Sequence, residues 1–347
     1  MKIMNKPNTQ IIDQSWPAHE LEIVSACPYC ASASRTLAYK DVQDWSFYGA
    51  AGKWTYWSCN TCEALYLNPR PTEASIGKAY NTYYTHSSGN KSKLQNIKIH
   101  LKNEYLFHFK NANMLPRLHV SKKYSFLLRP LKYIINLPFG LKELMQQPKG
   151  KLLDVGCGSG QTLLSAQQLG WEVTGVEIDP NAVKAASLQG LNVVQGDFRQ
   201  VKQFKNQFDC IICSHVLEHV HSPLDLLNML TLALKPQGVL LLSLPNSKSH
   251  VLAEFGANWR GLEAPRHLGI PSLQKLTSIL QTLGYVDIHQ TNIHNSTVLE
   301  SLRIKSRALQ PNTKAKLINK FKGMQNQHPN EANTDFIQIN AVKNSSH

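Results

Sequence analysis

With 347 residues, the chain is long enough for one full α/β domain and a smaller attached module. A hydrophobic content of 42% and a charged content of 17% are typical of a globular protein. No apolar run has the length of a membrane span, and the first 25 residues lack the apolar core of a signal peptide. The seven cysteines form two CxxC pairs and three isolated residues, which fits a reducing compartment, so we expect a cytoplasmic protein.

The formal net charge of +14 is concentrated in one segment. Residues 91–149 contain twelve Lys and Arg residues against only Glu104 and Glu143, which leaves a net charge of +10. We expect residues 73–149 to form a basic helical connector that caps the following domain, with its lysines in solvent. Peripheral contact with anionic lipid at the inner face of a membrane, or recruitment of an anionic substrate, stays open as the alternative. No RNA-binding signature accompanies the charge, so nucleic acid is not an expected partner. One helical face of the connector is predicted to carry Leu94, Ile97, Leu101 and Tyr105.

Two cysteine pairs stand near the N-terminus. Cys27 and Cys30 form the first CxxC pair, and Cys59 and Cys62 form the second. Two such pairs supply four thiolates, the ligand set of a tetrahedral structural zinc site, and they leave no open position for catalysis. A redox pair or unligated cysteines are the alternatives. We therefore predict a zinc-ribbon-like module at residues 25–72 that holds a structural Zn²⁺ ion.

Residues 151–179 predict the first half of a nucleotide-binding α/β unit. A short apolar strand carries Asp154, a glycine-rich loop and an amphipathic helix follow, and a second strand delivers Glu177 at its end. Glycines let backbone N–H groups approach a ligand closely. An acid at the strand tip can accept hydrogen bonds from the two hydroxyls of a ribose. This order of elements indicates a nucleotide-containing cofactor.

The glycine spacing helps to choose between two cofactors. A dinucleotide site has the pattern G-x-G-x-x-G, whereas Asp154, Gly156, Gly158 and Gly160 follow the pattern D-x-G-x-G-x-G. The carboxylate of Asp154 would repel a pyrophosphate and would suit a cationic ligand. The pattern therefore favours a positively charged cofactor over a dinucleotide.

The α/β pattern continues toward the C-terminus. Asp197 and Phe198 follow the third predicted strand, and Ser214 and His215 follow the fourth. Because ligands of such sheets bind outside the carboxyl ends of the strands, these residues are candidates for ligand contact. We predict strands at residues 191–194, 208–213, 239–244, 286–290 and 336–342, and helices at residues 180–189, 224–234 and 273–283.

Several segments occur in the order that one enzyme family uses: LLDVGCGSG, VTGVEID, QGDF, FDCIICSHVLEHV, LKPQGVLLLSLPN and EAPRHLGIPSLQKL. On these segments the chain resembles the class I S-adenosylmethionine (SAM)-dependent methyltransferases. The cysteine pairs followed by YLNPRPT are similar to bacterial methyltransferases with an N-terminal zinc module, including sugar methyltransferases. The resemblance implies a Rossmann-like α/β fold with a seven-stranded sheet, SAM as the cofactor and methyl transfer as the activity.

Carried over residue by residue, the resemblance implies a cofactor site at the carboxyl ends of the strands. Asp154 and the glycine loop would hold the methionine part of SAM, and Glu177 would bind the ribose. Asp197 and Phe198 would bind and flank the adenine. The implied cofactor-binding residues are Asp154, Gly156, Gly158, Gly160, Glu177, Ile178, Asp197, Phe198 and Ser214. Helix capping for Asp154, a turn for Asp197 and core packing for Phe198 are the structural alternatives.

A general base is needed only if the methyl acceptor is a hydroxyl or a carbon acid. His215, His219 and His267 are the candidate catalytic residues, because a neutral imidazole accepts a proton near pH 7. For His219 a structural role stays open. Arg260 and Arg266 are candidates for holding a phosphate or carboxylate of the acceptor.

The predicted domain order has four parts: a flexible lead-in at residues 1–24, the zinc-ribbon-like module at residues 25–72, the connector at residues 73–149, and a methyltransferase domain at residues 150–343 with a helical insertion at residues 293–333. We expect methyl transfer to a small-molecule, carbohydrate or lipid-linked precursor. The alternatives are an RNA or protein methyltransferase and a non-catalytic binding protein of the same fold. The tetrad typical of base amino-group methylation is absent from the fourth strand tip, which disfavours a nucleic-acid substrate. The sequence does not predict the oligomeric state.

Overall fold

The computed structural model describes residues 9–81, 93–133, 139–291, 297–307 and 334–345. Most of the insertion predicted at residues 293–333 therefore lies outside the described residues, except for a helix within residues 297–307. Among the described helices, none combines the length and the apolar character needed to cross a bilayer.

Strands and helices alternate through the second half of the chain, as the sequence pattern predicts. The strands are β1 Leu21–Glu22, β2 Arg35–Val42, β3 Trp54–Cys59, β4 Leu65–Leu67, β5 Arg70–Pro71, β6 Lys151–Val155, β7 Glu172–Glu177, β8 Val193–Gln195, β9 Phe208–Ser214, β10 Leu234–Pro245, β11 Gly269–Ile270, β12 Tyr285–Gln290 and β13 Phe336–Lys343. The helices are α1 Thr9–Ile12, α2 Lys93–Lys110, α3 Leu141–Gln146, α4 Gln161–Gln168, α5 Pro180–Ser187, α6 Pro223–Ala233, α7 His250–Phe255, α8 Leu273–Thr282 and α9 Val298–Lys305. Shorter 3₁₀ helices include Ile76–Tyr80, Lys122–Tyr133, Phe198–Gln203, Leu217–His219 and Arg260–Leu262.

Seven strands form one mixed sheet in the order β12-β13-β10-β9-β6-β7-β8. β6 pairs in parallel with both β7 and β9, and β7 pairs in parallel with β8. β13 pairs antiparallel with β12 and confirms the strand predicted at residues 336–342. Since β6, β7, β8 and β9 run in the same direction, their carboxyl ends lie at one edge of the sheet, and the predicted cofactor residues stand at those ends.

β10 begins at Leu234, five residues before the predicted start at residue 239. The extension passes through Lys235, whose ammonium group donates to both carboxylate oxygens of Asp209 on β9 at 2.8 and 2.9 Å. Burial opposes ionisation of Asp209, but the bonds from Lys235 and the backbone outweigh it and lower the pKa of this carboxyl. β10 thus continues through a Lys-Pro-Gln-Gly segment whose composition is typical of a turn, and a side-chain pair links this part of β10 to the neighbouring strand.

The chain divides into two compact units by its internal contacts. The first unit consists of Met1–Tyr83, His215–Asn228 and Leu242–His347, and the second consists of Tyr84–Ser214 and Met229–Leu241. The first unit therefore combines the N-terminal module with segments from the C-terminal half, a grouping that local sequence patterns do not show.

The sheet of the N-terminal module contains a strand from far along the chain. Its strands lie in the order β11-β4-β3-β2, with Gly269 and Ile270 paired to Tyr66 and Leu65 of β4. The hydroxyl of Tyr29, within the first CxxC pair, donates to the carbonyl of Gly269 at 3.0 Å. The module is built into the first unit through these bonds.

The core of the first unit is rich in aromatic side chains. Tyr56 and Trp259 are buried, and the hydroxyl of Tyr56 donates to the carbonyls of Leu262 and His267 at 2.6 and 2.7 Å. Within the lead-in predicted to be flexible, α1 is a helix, and Ile12 and Trp16 are buried. The described part of the lead-in therefore contributes to this core.

The connector buries a face of α2 that the sequence pattern did not predict. Ile97 is half exposed, whereas Glu104 and Leu106 are buried. The Glu104 carboxylate accepts hydrogen bonds from the backbone N–H groups of His119 and Val120 at 2.7 and 2.9 Å. Burial opposes its ionisation, but these bonds outweigh the burial and lower the pKa of Glu104. The buried Glu104, which bonds the loop at His119 and Val120, thus occupies part of the α2 face that we expected to be apolar.

Candidate functional site

The glycine loop connects β6 to α4 in the second unit. Gly156, Gly158 and Gly160 have φ angles of 76°, 54° and 82°, a region that favours glycine. A Cβ atom at Gly160 would stand 2.3 Å from a methyl group of Leu191. The glycines are therefore required by the backbone turn and by close packing.

The backbone N–H groups of this loop are used within the protein, contrary to the expectation that they would face a ligand. Those of Gly156 and Cys157 donate to the carbonyl of Val176, and that of Gly160 donates to the carbonyl of Cys157. The N–H of Gly158 donates to the Glu177 carboxylate at 2.8 Å. These N–H groups are thus bonded within the protein, and the carboxylates of Asp154 and Glu177 near the loop suit a cation better than a phosphate.

Asp154 lies near the end of β6 with only 4% of its surface exposed. Burial, together with the negative charge of Glu177, raises the pKa of Asp154 to about 8. No cation or hydrogen-bond donor from the described residues compensates this carboxyl group. A positively charged ligand beside the loop would stabilise its ionised form, so the residues present fit the cofactor that the sequence implies.

Glu177 ends β7 and is 8% exposed. Its two oxygens accept hydrogen bonds from the N–H groups of Gly158 at 2.8 Å and Asp179 at 2.9 Å. Each oxygen keeps further lone-pair capacity, so a carboxylate held in this way can still accept bonds from ligand hydroxyls. The next residue, Ile178, exposes 67% of its surface.

Asp197 and Phe198 follow β8 at the start of a 3₁₀ helix. Asp197 caps this helix by accepting from the N–H of Arg199 at 2.8 Å, and it also pairs with the Arg199 guanidinium at 2.7 Å. The hydrogen bond from the Arg199 side chain is the main cause that lowers the pKa of Asp197. Asp197 therefore has a structural role as a helix cap, whereas the structural alternative predicted for it was a turn. Phe198 remains partly exposed beside it. Ser214 is the last residue of β9.

A cavity of about 370 Å³ lies within the first unit. Its lining is formed by polar side chains and one aromatic ring from distant parts of the sequence. The lining residues are His215, His219, Arg260, Gly261, Glu263, His267, Thr297, Glu300 and Phe336. The structure thus brings together the three candidate catalytic histidines around one space.

Glu218 is a fully buried carboxylate next to the cavity-lining His215. It accepts a hydrogen bond from Nδ1 of His215 at 3.0 Å, and one of its oxygens lies 4.0 Å from Nε2 of His267. Burial opposes its ionisation, but the bond from His215 and the charges of the neighbouring histidines lower the pKa of Glu218. Burial likewise opposes the charging of His215, yet the bond to Glu218 outweighs it and raises the pKa of His215. His215 is therefore better suited to carry a charge than to accept a proton.

His219 and His267 are each fixed by a bond at Nδ1. Nδ1 of His219 lies 3.1 Å from the carbonyl oxygen of Arg266 and 3.0 Å from the hydroxyl of Tyr80. Nδ1 of His267 lies 2.7 Å from the carbonyl oxygen of Gly261. Burial, together with charge on His219, lowers the pKa of His267 well below its ordinary value, so this imidazole is neutral near pH 7.

Arg266 does not line the cavity, contrary to the expectation that it holds an acceptor. Its guanidinium is fully buried, donates to Asp44 at 2.8 Å and to the carbonyl of Ala79 at 2.9 Å, and lies over the Phe47 ring. Burial opposes charging, but the Asp44 carboxylate outweighs it and raises the pKa of Arg266. Arg266 is therefore part of the core.

Arg260 lines the cavity as expected, but it is already paired with Glu263. Sequence analysis missed Glu263, Thr297 and Phe336, as well as Tyr80 against His219. Thr297 is held by the buried carboxylate of Asp335, which accepts from its backbone N–H at 2.8 Å and its hydroxyl at 2.6 Å. No local motif marks these residues, because long-range packing alone brings them to the cavity.

The four N-terminal cysteines form one cluster. The sulfurs of Cys27 and Cys62 are 3.6 Å apart, those of Cys30 and Cys59 are 3.5 Å apart, and all four lie within 4.8 Å of one another. Four thiolates around Zn²⁺ with Zn–S bonds of about 2.3 Å would stand about 3.8 Å apart. The cluster therefore has the size of a tetrahedral zinc site.

The two CxxC segments have the same turn. Ala31 and Glu63, each one residue after a pair, have φ angles of 59° and 58°. Their N–H groups donate to the carbonyls of Cys27 and Cys59, each at 2.9 Å. Two matching turns that bring four sulfurs together favour a metal site over a redox pair.

The fold and the site together define a class. A seven-stranded sheet in which the antiparallel last strand lies between the fifth and the sixth, with a glycine loop after the first, is the class I SAM-dependent methyltransferase fold. Residues 131–290 match the protein family described as Methyltransferase domain. The sequence match and the topology of the sheet thus agree on this class for residues 131–290.

Known proteins with sequence similarity carry a consistent name. A Ubiquinone biosynthesis O-methyltransferase of Xanthomonas campestris pv. campestris is 36% identical over 121 residues, which cover 32% of this chain and 51% of that protein. A protein of the same name from Escherichia coli is 28% identical over 169 residues, covering 44% of this chain and 70% of that protein. The chain thus spans about half the length of the Xanthomonas relative. The crystal structure of a SAM dependent methyltransferase from Archaeoglobus fulgidus is 22% identical with a TM-score of 0.43, covering 63% of this chain and 99% of that chain.

Proposed function

We propose that the protein transfers a methyl group from SAM to a small-molecule acceptor. The observation that carries this proposal is the buried, uncompensated carboxyl of Asp154 beside the glycine loop. The match of residues 131–290 to a methyltransferase domain supports it, and so do the relatives named as O-methyltransferases.

In this proposal the residues of the second unit bind and orient the cofactor. Asp154 attracts its positively charged methionine end, Glu177 accepts from the ribose hydroxyls, and Asp197 and Phe198 contact the adenine. SAM supplies a methyl group already activated on a sulfonium, so the protein mainly aligns the reactants. The carboxyl ends of β6 to β9 are thus the binding edge.

The cavity of the first unit is the proposed acceptor pocket. A volume of about 370 Å³ suits a small molecule, and the polar side chains in its lining can bond hydroxyl groups of an acceptor. A hydroxyl acceptor must lose a proton, and Nε2 of His219 or His267 can accept it because Nδ1 of each ring is bonded elsewhere. Small-molecule, carbohydrate and lipid-linked hydroxyl acceptors all remain within this proposal.

Turnover tests the proposal directly. The purified full chain, SAM and a panel of phenolic, glycan and lipid-linked acceptors should give S-adenosylhomocysteine and a methylated product. His219→Ala should reduce the turnover of a hydroxyl acceptor by about 100-fold or more while leaving SAM binding unchanged. His289→Ala, at an exposed strand position, is the matched control and should retain full turnover.

Two outcomes would support the alternative functions, a macromolecule methyltransferase or a non-catalytic binding protein. Turnover of tRNA or of a protein alone, with binding that weakens steeply as salt rises, would indicate a macromolecular substrate. Tight SAM binding without turnover on any acceptor would indicate a binding protein of this fold. Either result would contradict the small-molecule proposal.

We also propose that the four-cysteine cluster holds structural Zn²⁺. The converging sulfurs and the two matching turns support this, and four thiolates leave no coordination position for a substrate. Zinc here would stabilise the first unit and take no part in methyl transfer. Elemental analysis should find zinc in the purified protein and none at this site in Cys59→Ser.

Finally, we propose a cytoplasmic protein whose basic connector contacts an anionic membrane surface. Tyr124, Phe126 and Leu127 expose 51%, 55% and 64% of their surfaces beside exposed Lys122, Lys123 and Arg129. Exposed apolar side chains among cations are typical of interfacial segments.

Vesicle sedimentation tests this contact. Vesicles containing phosphatidylserine should bind the protein, and the double variant Phe126→Ser/Leu127→Ser should bind several-fold more weakly. Ile23→Ser, which removes an equally exposed apolar side chain from the first unit, is the control. Equal binding to neutral vesicles, or no effect of the double variant, would contradict the contact.

A further inference from the structure

Two histidines of the cavity wall and the buried Glu218 converge in a way that general base catalysis does not require. Glu218, His219 and His267 each place a potential ligand atom within 4.8 Å of the others. Two imidazoles and one carboxylate are a donor set that binds divalent transition-metal ions in proteins. This cluster is separate in sequence and composition from the four cysteines.

The tautomers of both imidazoles are set by their partners. A backbone carbonyl can only accept, so Nδ1 of His267 donates to Gly261 and Nδ1 of His219 donates to Arg266. The Tyr80 hydroxyl, 3.0 Å from the same Nδ1 of His219, can accept from it as well. In a neutral ring this leaves Nε2 with an unshared electron pair. A carbonyl that fixes Nδ1–H and frees Nε2 is the arrangement found behind metal-bound histidines.

Two carboxylate oxygens lie near Nε2 of His267. Nε2 of His267 lies 4.0 Å from Oε1 of Glu218 and 3.7 Å from Oε2 of Glu263, and none of these three atoms carries a proton when both acids are ionised. Oε2 of Glu218 is buried without a hydrogen-bond partner among the described residues. His215 already bonds Oε1 of Glu218 and Arg260 already pairs with Glu263, so the buried Oε2 of Glu218 is the carboxylate oxygen left for a cation.

We propose that Glu218, His219 and His267 bind a divalent transition-metal ion at the wall of the cavity. Imidazole nitrogens favour Zn²⁺, Co²⁺ or Fe²⁺ over Mg²⁺, which prefers oxygen ligands. Three protein ligands leave a coordination position for an oxygen atom of the acceptor. The inference rests on the proposed function only for the identity of that acceptor. An Nε2 atom bound to the metal ion cannot also accept a proton, so in this inference His219 and His267 are metal ligands in place of the general-base role proposed above.

Metal stoichiometry of the full chain tests the site. The protein is dialysed against Zn²⁺, then against metal-free buffer, and its bound zinc is measured by elemental analysis. We expect two equivalents per chain, one at the cysteines and one at the cavity. A single equivalent, with Zn²⁺ titration showing no second binding event, would overturn the proposal.

Variants assign the second equivalent to its ligands. Glu218→Gln and His267→Ala should each weaken binding of the second Zn²⁺ by more than about 100-fold and retain the first. His289→Ala should keep both equivalents. Circular dichroism and the retained cysteine-bound zinc verify folding. Retention of two equivalents in both Glu218→Gln and His267→Ala would overturn the assignment.

Metal binding and turnover are measured separately, so the two proposals can fail independently. Two zinc equivalents without methyl transfer to any acceptor would support this site and contradict the proposed function. Methyl transfer by a protein that never holds more than one equivalent would support the function and overturn this site.

Discussion

The cofactor edge of the second unit and the cavity of the first unit use charge in opposite ways. At the cofactor edge, Asp154 is buried with no compensating cation from the described residues, and its pKa is raised to about 8. At the cavity, the buried Glu218 is compensated by His215, and its pKa is lowered. The difference indicates that the ligand supplies the positive charge beside Asp154. Beside Glu218 the protein itself already supplies much of the positive charge. Each prediction below changes one side of this contrast.

Removal of zinc should have the largest effect, and it should act on the unit that holds the cavity. Binding free energies of structural zinc are about 10 kcal/mol or more, so Cys59→Ser or prolonged chelation should unfold much of the first unit. Trp16, Trp54 and Trp259 are buried in this unit, and their fluorescence should shift to the red. An unchanged thermal midpoint in zinc-free protein would contradict the structural role.

Breaking the buried Asp44–Arg266 pair should cost about 3–5 kcal/mol of unfolding free energy, because it leaves a buried charge unpaired. Asp44→Ala measured by urea denaturation checks this value. Lys248→Ala, at the exposed ion pair with Glu63, is the control and should cost about 1 kcal/mol or less. If Asp44→Ala had nearly normal stability and a raised KM for the acceptor, Arg266 would instead be assigned to acceptor binding.

Asp154→Asn should stabilise the cofactor-free protein while weakening SAM binding. The unfolded state loses the Asp154 proton near pH 4, whereas the folded state keeps it to about pH 8. Wild-type stability should therefore fall as pH rises through this window, by at most about 1.4 kcal/mol per pH unit from this group. The stability difference between Asp154→Asn and wild type should grow from pH 5 to pH 7.5 in urea denaturation. A difference that is constant with pH would show that Asp154 is compensated in solution.

Asp197→Ala should have the smallest effect. Loss of the helix cap should cost about 1 kcal/mol of stability. A lost hydrogen bond to adenine should weaken SAM binding by about tenfold, measured by calorimetry. Arg199→Ala removes the ion pair and keeps the capping carboxylate, so it separates the two roles. Unchanged SAM affinity in Asp197→Ala would leave Asp197 with capping alone.

The residues of the cofactor edge could be predicted from the sequence because they are close together in the chain. Asp154, the glycines and Glu177 lie on one strand–loop–helix–strand unit, and strand periodicity with chain order places them at one edge. The sequence could not show that the loop uses its own N–H groups, because Glu177 and Val176 become partners only after the strands pair.

The residues of the cavity could be predicted only in part from the sequence, because they come from four separate stretches of the first unit. His215, His219 and His267 were predicted from their chemistry alone. Glu263 and Thr297 carry no local signal, and their places depend on the packing of α9 and of the loop before β11. Arg266 was misassigned because a sequence does not show that Asp44, more than two hundred residues earlier, is its partner.

Calorimetric titration of SAM into the full-length protein tests the central claim most directly. The account predicts one binding site whose affinity rises with pH between pH 6 and 7.5, with proton release, because the cationic ligand favours ionised Asp154. Asp154→Asn should lose both the pH dependence and most of the affinity. Failure to bind SAM, or binding of NAD in its place, would contradict the account.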